Sequence, residues 1–492
     1  MYLHLFSSEP IFSIIAEIKL QHDHLERIWA WGRASSSVAH VYRPSTAEGV
    51  RAVFDLAREN GRSIGFRGGG KSYGDAFGNQ EQVVLDLSRF NRVLDWQPES
   101  GVIRVEPGLT VTQLWQYVLE DGWWPPIVTG TAKTTIGGCA SMNTHGKNAW
   151  KLGTFGEHVL AFELLLPSGE VMSCSPENNA DLFYAAIGGA GLLGCFLSLT
   201  LQMKRVYSGL VRVEAATRPN LASSMQYIED RMDSADYLVG WLDAFARGKS
   251  LGRGEMHRAD YLVEGEDAYP AQTMQAVNQV LGDSVFGILP KSSLWFYMQF
   301  FMNNAGTRLV NGAKYVVSRV TAGEKGKQYL QPHAAYHFLL DYVPNWKWAY
   351  GRGGLIQYQC FLPKETAEEG FRDIFELGQR KRLPNYLSVL KRHKPDPFLL
   401  SYGVDGFSMA LDYQITKRNR TRVVALVREM DEIVLRHGGR FYFAKDSTLR
   451  PEVAQAYLGK EALESFFTLK RRVDPDCLLQ TDLWRRVFGP LY

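Results

Sequence analysis

"GFRGGGKSY", residues 65–73, is the stretch on which the reading of this chain turns. Gly65, Gly70, Lys71 and Ser72 fit the phosphate-loop pattern G-x-x-x-x-G-K-[ST] letter for letter. That pattern holds a nucleoside triphosphate only where a helix starts at its Lys-Ser, so that backbone N–H groups and the helix N-terminus face the phosphates. Here Ser72 runs into Tyr-Gly-Asp-Ala-Phe-Gly-Asn, which is turn chemistry. "VVLD" (83–86) follows too soon to leave room for the usual helix and crossover. A triphosphatase is therefore the weakest reading. What survives is a run of N–H groups with almost no side chains in the way, which is the makings of an anion nest.

Working outward, "GAGLLG" (189–194) spells the dinucleotide fingerprint G-x-G-x-x-G, but in the wrong setting. A helical pattern precedes it and a strand pattern follows, whereas the fingerprint needs strand, glycines, then helix. "GTAKTTIGGCASMNTHGKN" (130–148) is dense in Gly, Ala, Ser and Thr, which let backbone approach a flat ligand. Either small-residue segment alone reads equally as a tight turn. The pair points to one large ligand carrying both a pyrophosphate and a planar ring.

Composition narrows the partners. The 492 residues hold 55 Lys plus Arg and 52 Asp plus Glu, a net charge of +3. Such a balance argues against nucleic acid. Five cysteines without a C-x-x-C argue against a disulfide framework or a metal site, and favour a reducing, cytoplasmic setting. The opening residues lack the basic region of a signal peptide, and no run of 18 apolar residues occurs. Membrane contact is thus expected to be peripheral. The basic runs "RKR" (380–382), "KRHK" (391–394) and "KRNRTR" (417–422) are the candidates for anionic headgroups, with a plain solvated face as the alternative.

Local patterns indicate an α+β chain. "TAEGVRAVFDLARENG" (46–61) has a Thr cap, a helical period and a Gly stop. Strands are expected at 64–66, 83–88 and 101–108, as a hairpin over 159–176, and again at 193–206, 238–245, 354–363 and 407–415. Helices are expected at 110–121, 364–382 and 420–437. Residues 265–300 read as an irregular aromatic loop or lid.

The segments "RPSTAEGVRAVFDLARENG", "RGGGKSYGD", "GVIRVEPG", "GTAKTTIGG", "HGKN" and "GGAGLLG" together resemble the FAD-binding domain of the vanillyl-alcohol-oxidase-type (PCMH-type) family of FAD-linked oxidases. "FGEHV" (155–159), "LGRGE" (251–255), "QYQ" (357–359), "GGRFYFAKDS" (438–447) and "RRVDPD" (471–476) extend the resemblance to the C-terminus. They are similar to the members that oxidise a polyprenyl-phosphate-linked ribose. The resemblance implies an α+β fold: an arm (1–25), an FAD-binding domain in two parts (26–206 and 440–492), and a substrate or cap domain (207–439) with an antiparallel sheet flanked by helices.

It also implies a site. Arg67, Gly68, Gly69, Gly70, Lys71, Ser72 and Tyr73 would wrap the FAD pyrophosphate. Gly130, Thr131, Thr135, Gly137, Gly138, Thr144, His145 and Asn148 would line the diphosphate and the isoalloxazine. Gly191 and Cys195 would lie near the adenine half, and Tyr442 would reach the flavin. Many relatives link FAD covalently through a His where this chain has Lys71, so non-covalent FAD is expected. Lys445 and His145 are the catalytic candidates, and Tyr73, Lys147, Gln357, Gln359 and Lys391 the substrate-binding ones. A partly desolvated lysine beside a flavin could take the hydroxyl proton. From the residues alone, Lys445 reads more readily as a surface lysine paired with Asp446 and a lone His145 as structural, while the two glutamines read equally as an exposed strand face. The activity implied is oxidation of the 2′-hydroxyl to the 2′-keto sugar, with a short-chain reductase partner completing an epimerisation to arabinose. A free-sugar, alditol or aldonolactone oxidase and a non-catalytic flavin-binding protein remain the alternatives.

Overall fold

The computed structural model describes residue 20 and residues 24–280, 282–285 and 289–492. Most of the arm expected at 1–25 lies outside the described residues.

Three sheets carry the architecture. The first has four strands in the order Leu25–Trp29, Ser36–Tyr42, Val83–Asp86 and Ile64–Arg67. Val83–Asp86 runs parallel to both its neighbours, and helix Ala47–Glu59 packs Val50, Val53, Phe54 and Ala57 into a core shared with Ile64, Val83 and Leu85. Thr46 caps that helix by accepting from Gly49 N at 3.1 Å, as the sequence suggested. The second sheet is a five-stranded antiparallel one: Val93–Gln97, Val102–Val105, Cys195–Gln202, Val159–Leu165 and Val171–Cys174.

The third sheet has eight strands, all antiparallel: Lys327–Pro332, Leu210–Arg218, Gly254–Tyr261, Tyr237–Leu242, Leu387–His393, Gly406–Gln414, Leu355–Pro363 and Arg440–Phe441. Helices Lys364–Arg380 and Arg420–Arg436 cover one face, burying Phe371, Ile374, Phe375, Leu426, Val427 and Met430. The other face turns towards the small-residue loops.

The division expected at 439/440 falls inside this third sheet. Arg440 and Phe441 pair with Phe361 and Cys360 as its edge strand. Beyond them the chain crosses to the first sheet, where Ile64 N donates to Leu478 O at 2.7 Å and Gln480 N to Ile64 O at 2.9 Å. Buried Lys470 fixes that crossing: it bonds Asp474 and the carbonyls of Leu192 (2.8 Å) and Leu479 (2.7 Å). This explains "RRVDPD" physically, since a buried ammonium needs a carboxylate and further acceptors.

Both misleading glycine motifs resolve as their contexts required. Lys71 and Ser72 start no helix, and strand Val83–Asp86 pairs directly with Ile64–Arg67. "GAGLLG" joins helix Ala180–Ala186 to strand Cys195–Gln202, turning through Ala190 and Gly191 at φ +54° and +73°.

Candidate active site

The two glycine segments pack back to back. A Cβ on Gly69 would stand 2.3 Å from Lys133 O, and one on Gly68 2.1 Å from Thr135 Oγ1. Gly70 turns the chain at φ +62° above the Arg67 guanidinium. The glycines are thus demanded by this contact as much as by any ligand. Their consequence is that the N–H groups of residues 69–72 take no partner among the described residues. The loop is then closed by Tyr73 N, which donates to Ala444 O at 2.9 Å, and Ser72 O, which accepts from Trp31 N at 2.9 Å.

One cavity runs from this loop to the floor of the eight-stranded sheet. Arg67, Gly68, Gly69, Gly70, Lys71, Ser72, Tyr73, Gly130, Thr131, Thr135, Gly137, Gly138, Thr144, Gly191, Cys195 and Tyr442 line it; so do His145, Lys147, Gln357, Gln359, Lys391 and Lys445. The structure leaves Asn148 out of this wall. Its amide is turned away to donate to Pro126 O at 2.9 Å, so it braces the loop from behind.

Strand register builds the inner end. Gln357 lies opposite Asp412, Gln359 opposite Ala410, and Lys391 opposite Ser408 on the other side of the central strand. Residues two apart on a strand share a face, so Ser408, Ala410 and Asp412 form a row between the glutamines and Lys391. Ala410 is the small residue that leaves room over the sheet.

His145 is buried and faces this row. The Gln359 amide donates to His145 Nε2 at 3.0 Å and lies 3.3 Å from Ser408 Oγ, which also meets His393 Nε2 at 2.7 Å. Burial, and then the neighbouring Lys391, His393 and Lys445, hold His145 well below the ordinary histidine range. The ring is therefore neutral, and with Nε2 accepting, its proton sits on Nδ1, which is buried and without a partner among the described residues. Tyr73 Oη, Thr144 Oγ1 and His337 Nε2 are likewise buried on the cavity wall without partners.

Lys445 does not pair with Asp446. That carboxylate accepts from Arg486 at 2.7 Å, and the same guanidinium grips Asp75 at 2.7 Å, clamping the Lys445 loop to the end of the glycine loop. Lys445 Nζ instead lies 3.8 Å from the Tyr73 ring centroid. Burial lowers its pKa to about 7; Lys391 adds to the depression, while Asp412 opposes it. Burial likewise brings Lys391 to about 8. Lys147 is held well below the ordinary lysine range by burial, donates to Tyr336 O and sits 4.0 Å over that ring.

Four contributors escaped the sequence reading. Asp412 is fully buried, accepts from Gln357 Nε2 at 2.5 Å and from Tyr350 Oη at 3.3 Å, and has its pKa raised to about 6 by burial. An Asp inside the apolar run "FSMALDYQI" was a usable signal, because a buried acid needs partners. His393, Ser408 and His337 carried none beyond their types.

The basic runs mostly turn inward or pair. Arg392 bonds Glu229 and Asp405 at 2.7 and 2.6 Å, Lys381 meets Glu429 at 2.7 Å, and Lys394 meets Glu157 at 2.9 Å. In the third run, Arg420 donates to Ala34 O and Arg422 to Lys381 O, at 2.9 Å each, while Lys417 and Arg418 stand exposed.

A profile of the FAD-binding domain matches residues 38–175. The chain is 30% identical over 478 residues to decaprenylphosphoryl-beta-D-ribose oxidase of Mycolicibacterium smegmatis, covering 94% of this chain and 97% of that protein. It is 23% identical over 476 residues to L-gulono-1,4-lactone dehydrogenase of Mycobacterium tuberculosis, covering 94% and 99%. To L-gulonolactone oxidase of Mus musculus it is 32% identical over 161 residues, 33% of this chain and 36% of that one. With this cavity and these relatives the protein is an FAD-dependent oxidoreductase, and the chain belongs to the vanillyl-alcohol-oxidase-type (PCMH-type) family of FAD-linked oxidases.

Proposed function

We propose that the protein oxidises the 2′-hydroxyl of a polyprenyl-phosphate-linked ribose to the 2′-keto sugar. The observation that carries this reading is the inner wall of the cavity: Gln357, Gln359, Lys391, His145 and Lys445 converge over one sheet floor. Amides and cations on one face suit a polyhydroxyl ligand with an attached anion. Similarity at 30% identity over 478 residues to a protein named for that substrate supports it.

The residues present fit FAD. The free N–H groups of residues 69–72 and the Lys71 ammonium would hold its pyrophosphate, in the manner of an anion nest. The small-residue wall from Gly130 to Gly138, with the unpartnered Thr144 hydroxyl, would admit the ring, and Gly191 and Cys195 the adenine end. Lys71 stands where a flavin-linking histidine would be required, so the cofactor is held non-covalently. Acid precipitation is expected to leave the yellow colour in the supernatant; colour in the pellet would break that part of the reading.

Bound FAD supplies the hydride acceptor. The chain's own groups manage the hydroxyl. Neutral Lys445 Nζ takes its proton as the C–H bond gives up its electron pair. Asp412, whose charge favours the protonated amine, steadies the ammonium so formed. The Nδ1–H of His145 is a fixed donor for an oxygen at the reacting carbon. The 2′-keto product is the substrate a short-chain reductase partner would need to complete an epimerisation.

Anaerobic flavin reduction tests the assignment. A short-chain polyprenylphosphoryl ribose is expected to bleach the flavin at least about 100-fold faster than free ribose or L-gulono-1,4-lactone, because remote contacts raise the rate of the chemical step. Faster bleaching by the lactone would instead favour the second reading, an aldonolactone oxidase, which the full-length similarity to the lactone dehydrogenase supports.

A further inference from the structure

Helix Asn304–Thr321 is amphipathic the wrong way round. The face it packs inward presents Thr307, Asn311, Tyr315 and Ser318. Asn311 donates to Asp243 Oδ1 at 3.2 Å, and Thr307 to Phe301 O at 3.0 Å. The outer face carries Leu309, Val310, Val316, Val317 and Val320, exposed by 65, 44, 57, 60 and 81%. A surface helix of a globular protein does the reverse. The chain just before it adds Phe296, Tyr297, Phe300 and Phe301, all exposed. Of 26 exposed large hydrophobic residues among those described, 18 lie between Val263 and Trp348. That concentration marks an interaction surface rather than scattered exposure.

Its charges say what covers it. Between Asp283 and Glu324 the sequence has no Asp or Glu, yet it holds Lys291, Arg308, Lys314 and Arg319. Lys314 pairs with Glu255, and Lys291 lies 3.7 Å over the Tyr342 ring. Arg308 and Arg319 stand exposed beside the apolar stripe, with Lys325 and Lys327 following. A second copy docked by the same face would set these cations against themselves. An anionic bilayer surface satisfies both the stripe and its cationic flanks.

The patch adjoins the cavity. Gln299 Nε2 donates to Trp348 O at 3.0 Å, Trp295 and Trp348 rings lie 6.3 Å apart, and Leu339, 56% exposed, lines the cavity wall. We infer that helix Asn304–Thr321, with residues 294–301 before it, is a docking surface that lies in the interface of an anionic membrane and sets the cavity mouth against the lipid. Among the described residues no helix is long and apolar enough to cross a membrane, so this is contact from one side. The inference rests on the inverted helix and not on the sugar assignment.

Flotation of the FAD-loaded full chain with vesicles tests it. The protein is expected to rise with vesicles of phosphatidylglycerol and phosphatidylcholine in equal parts, and to stay behind with phosphatidylcholine alone at high salt. Replacing Val316→Ser, Val317→Ser and Val320→Ser together should lower the partition coefficient at least about tenfold, and Arg308→Glu with Arg319→Glu should abolish the preference for anionic lipid. Unchanged flavin absorbance would show that both variants are folded. Failure of the wild type to float, or equal flotation of the valine variant, would overturn the inference. So would loss of a dimer in light scattering without loss of flotation, which would give the face to a second copy. Expected flotation with no flavin bleaching by the lipid-linked sugar would sink only the proposed substrate.

Discussion

The two ends of the cavity are both rich in lysine, and they use it differently. At the glycine end Lys71 stands beside four backbone N–H groups that lack partners among the described residues, with Arg67 and Lys133 close by. The acid whose charge acts on Lys71, Asp341, is already taken by Thr131 Oγ1 and Ala132 N, at 2.8 Å each. This end offers donors and keeps its acceptor occupied. At the inner end Lys445 faces a buried carboxylate, Asp412, whose pKa is raised to about 6 while that of Lys445 falls to about 7. The first arrangement holds a fixed negative charge. The second brings an acid and a base close enough in affinity to pass a proton near neutral pH. Environment, rather than residue type, assigns the roles.

The strongest way to break this contrast is Lys445→Ala. Flavin reduction by substrate should slow about 10³-fold while FAD stays bound, since general-base groups contribute about 10²–10⁴-fold. Normal reduction rates in stopped flow would remove the base from Lys445. At the other end, Gly69→Val should cost the cofactor rather than the chemistry. The new side chain meets Lys133 O, which lies 2.3 Å from the Cβ position, so the nest must open. FAD affinity by fluorescence titration is expected to fall about 100-fold, the order expected when several charge-assisted hydrogen bonds are lost together. A variant that keeps FAD at wild-type affinity would show that the free N–H groups are not the anion site.

A finer test sharpens the inner end alone. Asp412 raises the Lys445 pKa and Lys391 lowers it. The acid limb of the pH–rate profile should therefore move down in Asp412→Asn and up in Lys391→Gln, each by about half to one pH unit. Shifts in the same direction would mean that the limb belongs to another group.

The glycine end was the more legible of the two from sequence, and the reason is physical. Backbone function leaves a compositional trace, because only runs of small residues give bare N–H groups and close approach, and residues 65–73 and 130–148 spell this out. The inner end depends on strand register, which fixes which side chains meet across 55 and 49 residues of chain for Gln357–Asp412 and Gln359–Ser408. Gln357 and Gln359 were visible as a pair two apart, but their partners Asp412 and Ser408 come from the neighbouring strand. The edge strand just past 439/440 was hidden for the same reason: two residues have too little pattern to announce themselves, and it is the pairing of Arg440 and Phe441 with Phe361 and Cys360 that assigns them to the third sheet. Helix Asn304–Thr321 went unread because its apolar residues face outward, so its period could not be tied to a core.

The smallest expected effect lies in stability rather than rate, and its sign follows from the same pair. Lys445 titrates near 7 in the folded protein, below its ordinary value of 10.5. Between those values the unfolded chain binds a proton that the folded chain does not, so stability rises with pH across that window. Asp412 acts in the other direction: its folded value of about 6 lies above the ordinary 3.8, so the stability it confers is present in acid and lost as pH rises to about 6. The FAD-free protein should therefore melt lowest between pH 6 and 7 on account of this pair. Because Lys445 is only half-buried beside the open cavity, the change is expected to be a few degrees in Tm. Subtracting the Tm of Lys445→Met from that of the wild type isolates it from the other titrating groups. That difference should climb in favour of the wild type from pH 7 to pH 9.5. A flat difference would mean that the ammonium is fully solvated in the folded state, and the distinction between the two ends of the cavity would then reduce to geometry alone.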